Sequence, residues 1–115
     1  MEKKSIVYQK AIAFALEIIE LYKVLRTNKE FVLSKQLLRS GTSIGANISE
    51  ALAGQSRKDF IAKMSISSKE ARETSYWLML LQKSQLVIYD YKKEMESCNE
   101  LIRLLTSIVK TTQSK

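Results

Sequence analysis

Histidine and proline are absent from this chain, glycine occurs three times and cysteine once. Each shortage removes a class of chemistry. Without imidazole there is no Ser-His-Asp or Cys-His nucleophile. Structural zinc fails for the same reason, with one thiol and no imidazole to hold it. Nor is there a Glu-x-x-His pair of the kind that seats two metal ions inside a four-helix bundle. No metal and no cofactor is expected. The lack of proline and the scarcity of glycine remove the usual punctuation of β-turns and flexible linkers. A lone Cys98 cannot form an internal disulfide, which fits a reducing cytoplasm, and a cytoplasmic location is the expectation. The longest apolar runs are a few residues, too short to span a bilayer. The opening MEKKSIVYQK has no continuous apolar core typical of a signal peptide.

What remains is rich in strong helix formers, within 115 residues that leave room for one domain. Apolar spacing divides the chain into four helices. The first is expected from about Ser5 to Arg26, with Val7, Ala11, Phe14, Ile18, Tyr22 and Leu25 stepping by fours and threes. TNKE, Thr27 to Glu30, reads as a capping box that opens a second helix, Lys29 to Ala53. Its inward row is Leu33, Leu37, Gly41, Ile44, Ile48 and Leu52, with Gly54 as the stop. SRKD, Ser56 to Asp59, opens a third, Arg57 to Ser84, with Phe60, Met64, Ser67, Ala71, Ser75 and Leu78 inward. Asp90 caps a fourth, to Thr112, whose inward row is Tyr91, Met95, Cys98, Ile102, Leu105 and Val109. Matched lengths and short connections predict an all-α, antiparallel up-down-up-down four-helix bundle.

The stretch SGTSIG, Ser40 to Gly45, is the one place that invites a phosphate-loop reading. It lacks the lysine, follows a helical run and has no strand before it, so neither a P-loop nor a dinucleotide fingerprint fits. A helix stripped of bulk explains it better. Ser40, Gly41, Ser43, Gly45 and Ala46 thin the second helix, and Ser65, Ser67, Ser68, Ala71 and Ser75 thin the third, so that two backbones can approach closely.

Beside these rows lie polar residues at the same spacing. Gln36, Ser40, Ser43, Asn47 and Glu50 line the second helix; Glu70 and Glu73 sit between Ile66 and Trp77 on the third. Asn47, Glu50, Glu70 and Glu73 are read as structural, the carboxylates bonding to Asn47, to serines, to Trp77 or to arginines and fixing helix register. A carboxylate pair can do acid–base work, but nothing supplies a substrate pocket or a nucleophile. The chain reads as a non-enzyme.

Charge points elsewhere. Nineteen basic against 12 acidic residues give +7 and a pI near 9.6, a balance that favours polyanionic partners. Outward on the third helix, Lys58, Lys69, Arg72, Tyr76 and Lys83 align as four cations and one aromatic. Cations neutralise phosphates and a tyrosine stacks on an unpaired base, so RNA or DNA is the expected partner, without sequence preference. The other reading of the same row is a solvated face. On the first helix a second apolar row, Tyr8, Ile12, Leu16 and Ile19, widens the apolar arc beyond half the circumference, where a peripheral helix needs only about 100°. Ile61 and Met79 widen the third. This surplus predicts a homo-oligomer, expected to be a ring, around which the basic row would repeat. An oligomeric scaffold for a protein partner, with no nucleic-acid role, is the alternative. A membrane-surface adaptor is disfavoured, because no helix separates a basic face from a purely lipophilic one.

SGTSIGANISEA followed by SRKDFIAKMSISSKEARETSYWLMLL closely resembles a bacterial four-helix bundle family related to proteins encoded in intervening sequences of 23S rRNA genes. The resemblance covers essentially the whole chain. Its pattern falls on Ser43-Ile44, Asn47, Glu50, Asp59-Phe60, Lys69-Glu70-Ala71, Glu73-Thr74 and Tyr76-Trp77-Leu78. Where the intervening-sequence branch typically reads Asn-Ile-Ala-Glu-Gly, this chain has Asn47-Ile48-Ser49-Glu50-Ala51. The resemblance implies an antiparallel bundle that often assembles as a homopentamer. One relative is the accessory protein of diversity-generating retroelements, a basic pentamer that works with a reverse transcriptase and nucleic acid. No catalytic residue comes with either branch.

Overall fold

A computed structural model describes residues 3–114. Four helices follow in order: α1 Lys3–Thr27, α2 Leu33–Leu52, α3 Arg57–Ser84 and α4 Lys92–Gln113. Each packs against two neighbours, α1 on α2, α2 on α3, α3 on α4 and α4 back on α1, while the diagonal pairs do not meet. The result is the antiparallel four-helix bundle, 46 × 22 × 19 Å. No helix among the described residues is long and apolar enough to cross a membrane.

The buried residues obey a stricter rhythm than the expected rows. Along the seam they are Val7, Ala11, Phe14, Ile18, Leu21 and Leu25 on α1, and Ser34, Leu37, Gly41, Ile44, Ile48 and Ala51 on α2, where Ser40 is buried as well, beside Gly41. On α3 they are Met64, Ser67, Ala71, Thr74, Leu78 and Leu81; from the start of α4 they are Tyr91, Glu94, Cys98, Leu101, Leu105 and Ile108. Steps of three and four alternate without a break on all four. That seven-residue repeat averages 3.5 residues per turn and keeps one seam inward only if the helices supercoil around each other. The expected rows leave the seam wherever a step of four stands in place of a step of three. Tyr22, Leu33, Ser75, Met95, Ile102 and Val109 therefore sit only partly buried and Leu52 is exposed, while Leu21, Ser34, Thr74, Glu94, Leu101, Ile108 and Ala51 hold the seam. Phe60, near the start of α3, is also only partly buried.

TNKE does not open α2. Lys29, at φ 64°, is left-handed, and the amides of Glu30 and Lys29 donate back to the carbonyls of Leu25 and Arg26, 2.9 Å in both cases. This is a Schellman stop for α1, formed without glycine. The Thr27 hydroxyl turns back to Lys23 O at 2.9 Å. Glu30 then starts the next helix: its carboxylate accepts from the amides of Val32, Leu33 and Ser34, at 3.1, 3.1 and 2.6 Å. An anion on three unpaired N–H groups of a helix N-terminus is stabilised by their aligned dipoles, so α2 begins at Leu33. Ser56 caps α3 as expected, its Oγ accepting from Asp59 N at 3.0 Å. Asp90 falls one residue short of the cap position: Tyr91 is the N-cap of α4 and makes no side-chain cap bond, while Asp90 accepts from Lys92 N at 3.1 Å.

The thin middle of α2 serves two neighbours. Its glycines face α1: a Cβ on Gly41 would lie 3.0 Å from Ile18 Cγ2, and one on Gly45 would lie 3.6 Å from Ala11 Cβ. Its hydroxyl side faces α3, where Ser67 Oγ donates to Ile44 O at 2.8 Å and the hydroxyls of Ser40 and Thr74 meet at 2.8 Å. Close approach of α2 and α3 thus rests on hydroxyls, which satisfy themselves against backbone and each other. Opposite them, Cys98 Sγ donates to Ala71 O at 3.2 Å, and burial pushes its thiol up to about 12.

The α3–α4 loop is held from below. Val87 is buried, Tyr91 OH donates to Val87 O at 2.9 Å, and Tyr89 OH donates to the buried Glu94 carboxylate at 2.6 Å. That bond, with some burial, raises Tyr89 from 10 to about 12. A phenol whose folded pKa is raised contributes stability below its unfolded value and loses it on ionisation. Stability should therefore fall as pH rises from about 10 to 12, and Glu94→Gln should bring the Tyr89 titration back toward 10, read by ultraviolet difference absorbance.

The glycines separate in the same spirit. Gly41→Val should destabilise by about 1–3 kcal/mol through overpacking on Ile18. Gly45→Ala, in ordinary contact distance, should be neutral or gain up to about 1 kcal/mol of helix propensity. Urea unfolding of the two variants checks both.

Candidate nucleic-acid interface

The seven-residue repeat sorts the exterior as strictly as the core. Lys69, Tyr76 and Lys83 are seven apart and point straight out from α3; Lys58 and Arg72, fourteen apart, lie one position round toward α4. All five are exposed, and Tyr76 shows half its surface. None of the four cations is held in a salt bridge among the described residues. Arg72 leans onto α4, its Nη2 donating to Thr106 Oγ1 at 3.2 Å. The Tyr76 ring is braced edge-on against Trp77, centroids 5.2 Å apart.

Further residues join this flank that helix-by-helix projection misses. A shallow groove of about 250 Å³ between α3 and α4 is lined by Ser65, Ser68 and Arg72 on one side and by Thr106, Val109, Lys110 and Gln113 on the other. Two cations and three hydroxyls along one groove are the donor set that phosphate oxygens take up. Thr106 and Lys110 are four apart on α4, so periodicity places them together. Only the packing of α4 beside α3 places them next to Arg72.

The residues read as structural lie on the opposite flank of α3, toward α2. Arg39 of α2 reaches across to both carboxylates, 3.4 Å from Glu70 and in hydrogen-bond contact with Glu73. Glu73 also accepts from Trp77 Nε1 at 2.9 Å. Glu50 pairs instead with Lys63 at 3.0 Å, and the bond raises the lysine's pKa. Asn47 bridges nothing here: its Nδ2 donates to Ser43 O on its own helix at 2.9 Å. The arrangement ties α2 to α3 from outside and holds the Trp77 ring over the joint. No group of His, Cys, Asp and Glu among the described residues is placed to hold a metal ion.

Arg39 and Glu73 are half and one-third exposed, so water and salt screen them. A double-mutant cycle of Arg39→Ala and Glu73→Gln should give a coupling of about 0.2–1 kcal/mol that shrinks in high salt. That size sets register without deciding whether the chain folds.

The surplus apolar row of α1 also has a definite place. Leu16 and Ile12 remain 59% and 38% exposed, with Ile19 and Tyr8 half-buried beside them.

Comparison with known proteins agrees with the fold. Among solved structures, a protein of unknown function from the S23 ribosomal protein family of Bacteroides thetaiotaomicron is 49% identical, with a TM-score of 0.89. The match covers 95% of this chain and 99% of that one. No curated protein matches. Neither the neighbour's name nor the family's description carries a catalytic activity. The 23S rRNA-intervening sequence protein model matches residues 3–107, from the first helix well into the fourth, and the chain therefore belongs to that family.

Proposed function

We infer that the protein is a non-catalytic, oligomeric nucleic-acid-associated protein that holds RNA or DNA by its phosphates along the α3–α4 flank. The observation that carries this reading is the exposed set Lys58, Lys69, Arg72, Tyr76 and Lys83, free of salt bridges among the described residues and continuous with the hydroxyl-lined groove that holds Lys110. Cations already neutralised by neighbouring carboxylates would gain little from a phosphate; these are not so occupied. Tyr76, half exposed and braced by Trp77, offers a ring edge and face at which an unpaired base can stack. Nothing in the set reads base edges, so binding is without sequence preference.

Oligomerisation multiplies the surface. The Ile12–Leu16 row supports burial against a second copy, and the family resemblance supports a pentamer. The same row would serve an oligomeric scaffold that holds a protein partner, the reading from a different class.

Anisotropy titration of a labelled single-stranded RNA should show binding that weakens steeply with salt. Lys69→Glu with Arg72→Glu should reduce affinity by at least about tenfold and flatten the salt slope by about two counterions per protomer. Sedimentation of the same variant should show assembly unchanged. A species of only 13.2 kDa at micromolar loading, or RNA binding with no salt dependence, would remove the reading.

A further inference from the structure

α1 and α3 run in the same direction, so the loops that follow them emerge at one end of the bundle. These loops carry the three most exposed large apolar side chains among the described residues, Ile88 at 87%, Val32 at 72% and Leu86 at 63%, with Phe31 beside them at 46%. The two loops close that end along opposite sides of the bundle, one joining α1 to α2 and the other α3 to α4. The backbone beneath is fixed, by the Schellman turn and the Glu30 cap under Phe31 and Val32, and by the Tyr91–Val87 and Tyr89–Glu94 bonds under Leu86 and Ile88. These side chains are thus held out by structured turns.

Cations surround these tips. Segments 23–35 and 83–93 contain Lys23, Arg26, Lys29, Lys35, Lys83, Lys92 and Lys93 against two acids, a net +5. All seven cations are exposed. Both acids are engaged with backbone amides, Glu30 at the start of α2 and Asp90 at Lys92. One cation is engaged nearby, Lys23 with Glu20 at 2.8 Å, and Arg26 covers the Phe31 ring at 5.3 Å.

We propose that this end of the bundle docks on an anionic lipid surface, with Val32, Leu86, Ile88 and Phe31 entering the interface and the surrounding lysines facing the headgroups. Helix by helix the chain has no amphipathic membrane face; two loops separated by the whole α2–α3 hairpin supply one jointly. The three most exposed tips are aliphatic and the one ring, Phe31, is covered by Arg26, which disfavours stacking of nucleic-acid bases at this site. A protein helix needs a groove to lie in, and these side chains project outward. A second copy meeting end to end would set +5 against +5. An anionic bilayer meets both requirements, an apolar layer that accepts projecting side chains and a negative surface above it.

The surface shares only Lys83 with the α3–α4 flank, so the two readings fail separately. The test is flotation of the full chain with vesicles of phosphatidylcholine alone or mixed with phosphatidylglycerol, at low and high salt. The wild type should float with the mixed vesicles, not with phosphatidylcholine alone, and less at high salt. Ile88→Ser with Val32→Ser, at exposed positions that leave helicity unchanged by circular dichroism, should lower partitioning by at least about tenfold. Lys69→Glu with Arg72→Glu should float as the wild type does. The proposal is overturned if the wild type ignores phosphatidylglycerol, if the double serine variant floats undiminished, or if that variant loses RNA affinity while vesicle binding is nil.

Discussion

The alternation of three and four residues between buried positions, kept without a break on all four helices, is the constraint on which the rest of this structure depends. A straight α-helix turns once in 3.6 residues, so a seam that recurs every 3.5 stays inward only in a supercoiled bundle. That regularity sets a narrow space at every layer. Where Ile18 fills it from α1, α2 can offer only Gly41; where α2 and α3 come closest, hydroxyls of Ser40, Ser67 and Thr74 replace hydrocarbon. Two interior glycines cost about 2 kcal/mol relative to alanine. Burying a side chain such as Ile18 returns about 1.5–3 kcal/mol, so a single well-filled layer offsets the glycines.

The same repeat divides the exterior of α3 into flanks of different character. Toward α2 run Glu70, Glu73 and Trp77, bound to Arg39; straight out and toward α4 run Lys58, Lys69, Arg72, Tyr76 and Lys83. Carboxylates and cations of one helix are thereby kept from neutralising each other, because they occupy different sides of it. The acidic flank meets its counterion on a neighbouring helix and becomes a joint. The basic flank meets a hydroxyl, Thr106, and keeps its charge for solvent or for a ligand. A chain with the same composition and a scrambled register would carry the same +7 with neither flank.

The helix ends show how far local signals reach. Ser56 caps as its residue type suggests, since a short polar side chain before a helix can act only on amides a few residues ahead, and Asp90, one residue before the Tyr91 cap position, still reaches the first amide of α4. Thr27 and Glu30 have the right types at the right spacing for a capping box, and still do something else. Lys29 adopts a left-handed conformation that sequence rarely announces outside glycine and asparagine. Once it does, Thr27 belongs to the helix before and Glu30 to the helix after.

By itself the sequence determined four helices, their order and antiparallel sense, the thin stretch in α2, the basic row on α3 and the family pattern that accompanies them, because these follow from periodicity and residue type within one segment. The exact phase of each buried seam, the partner of each thin surface, the union of Arg72 with Thr106 and Lys110, and the gathering of Phe31, Val32, Leu86 and Ile88 among cations at one end were decided by tertiary structure alone. Each of these depends on which helix lies beside which and at what level. That information is a property of four packed rods together, and no single rod contains it.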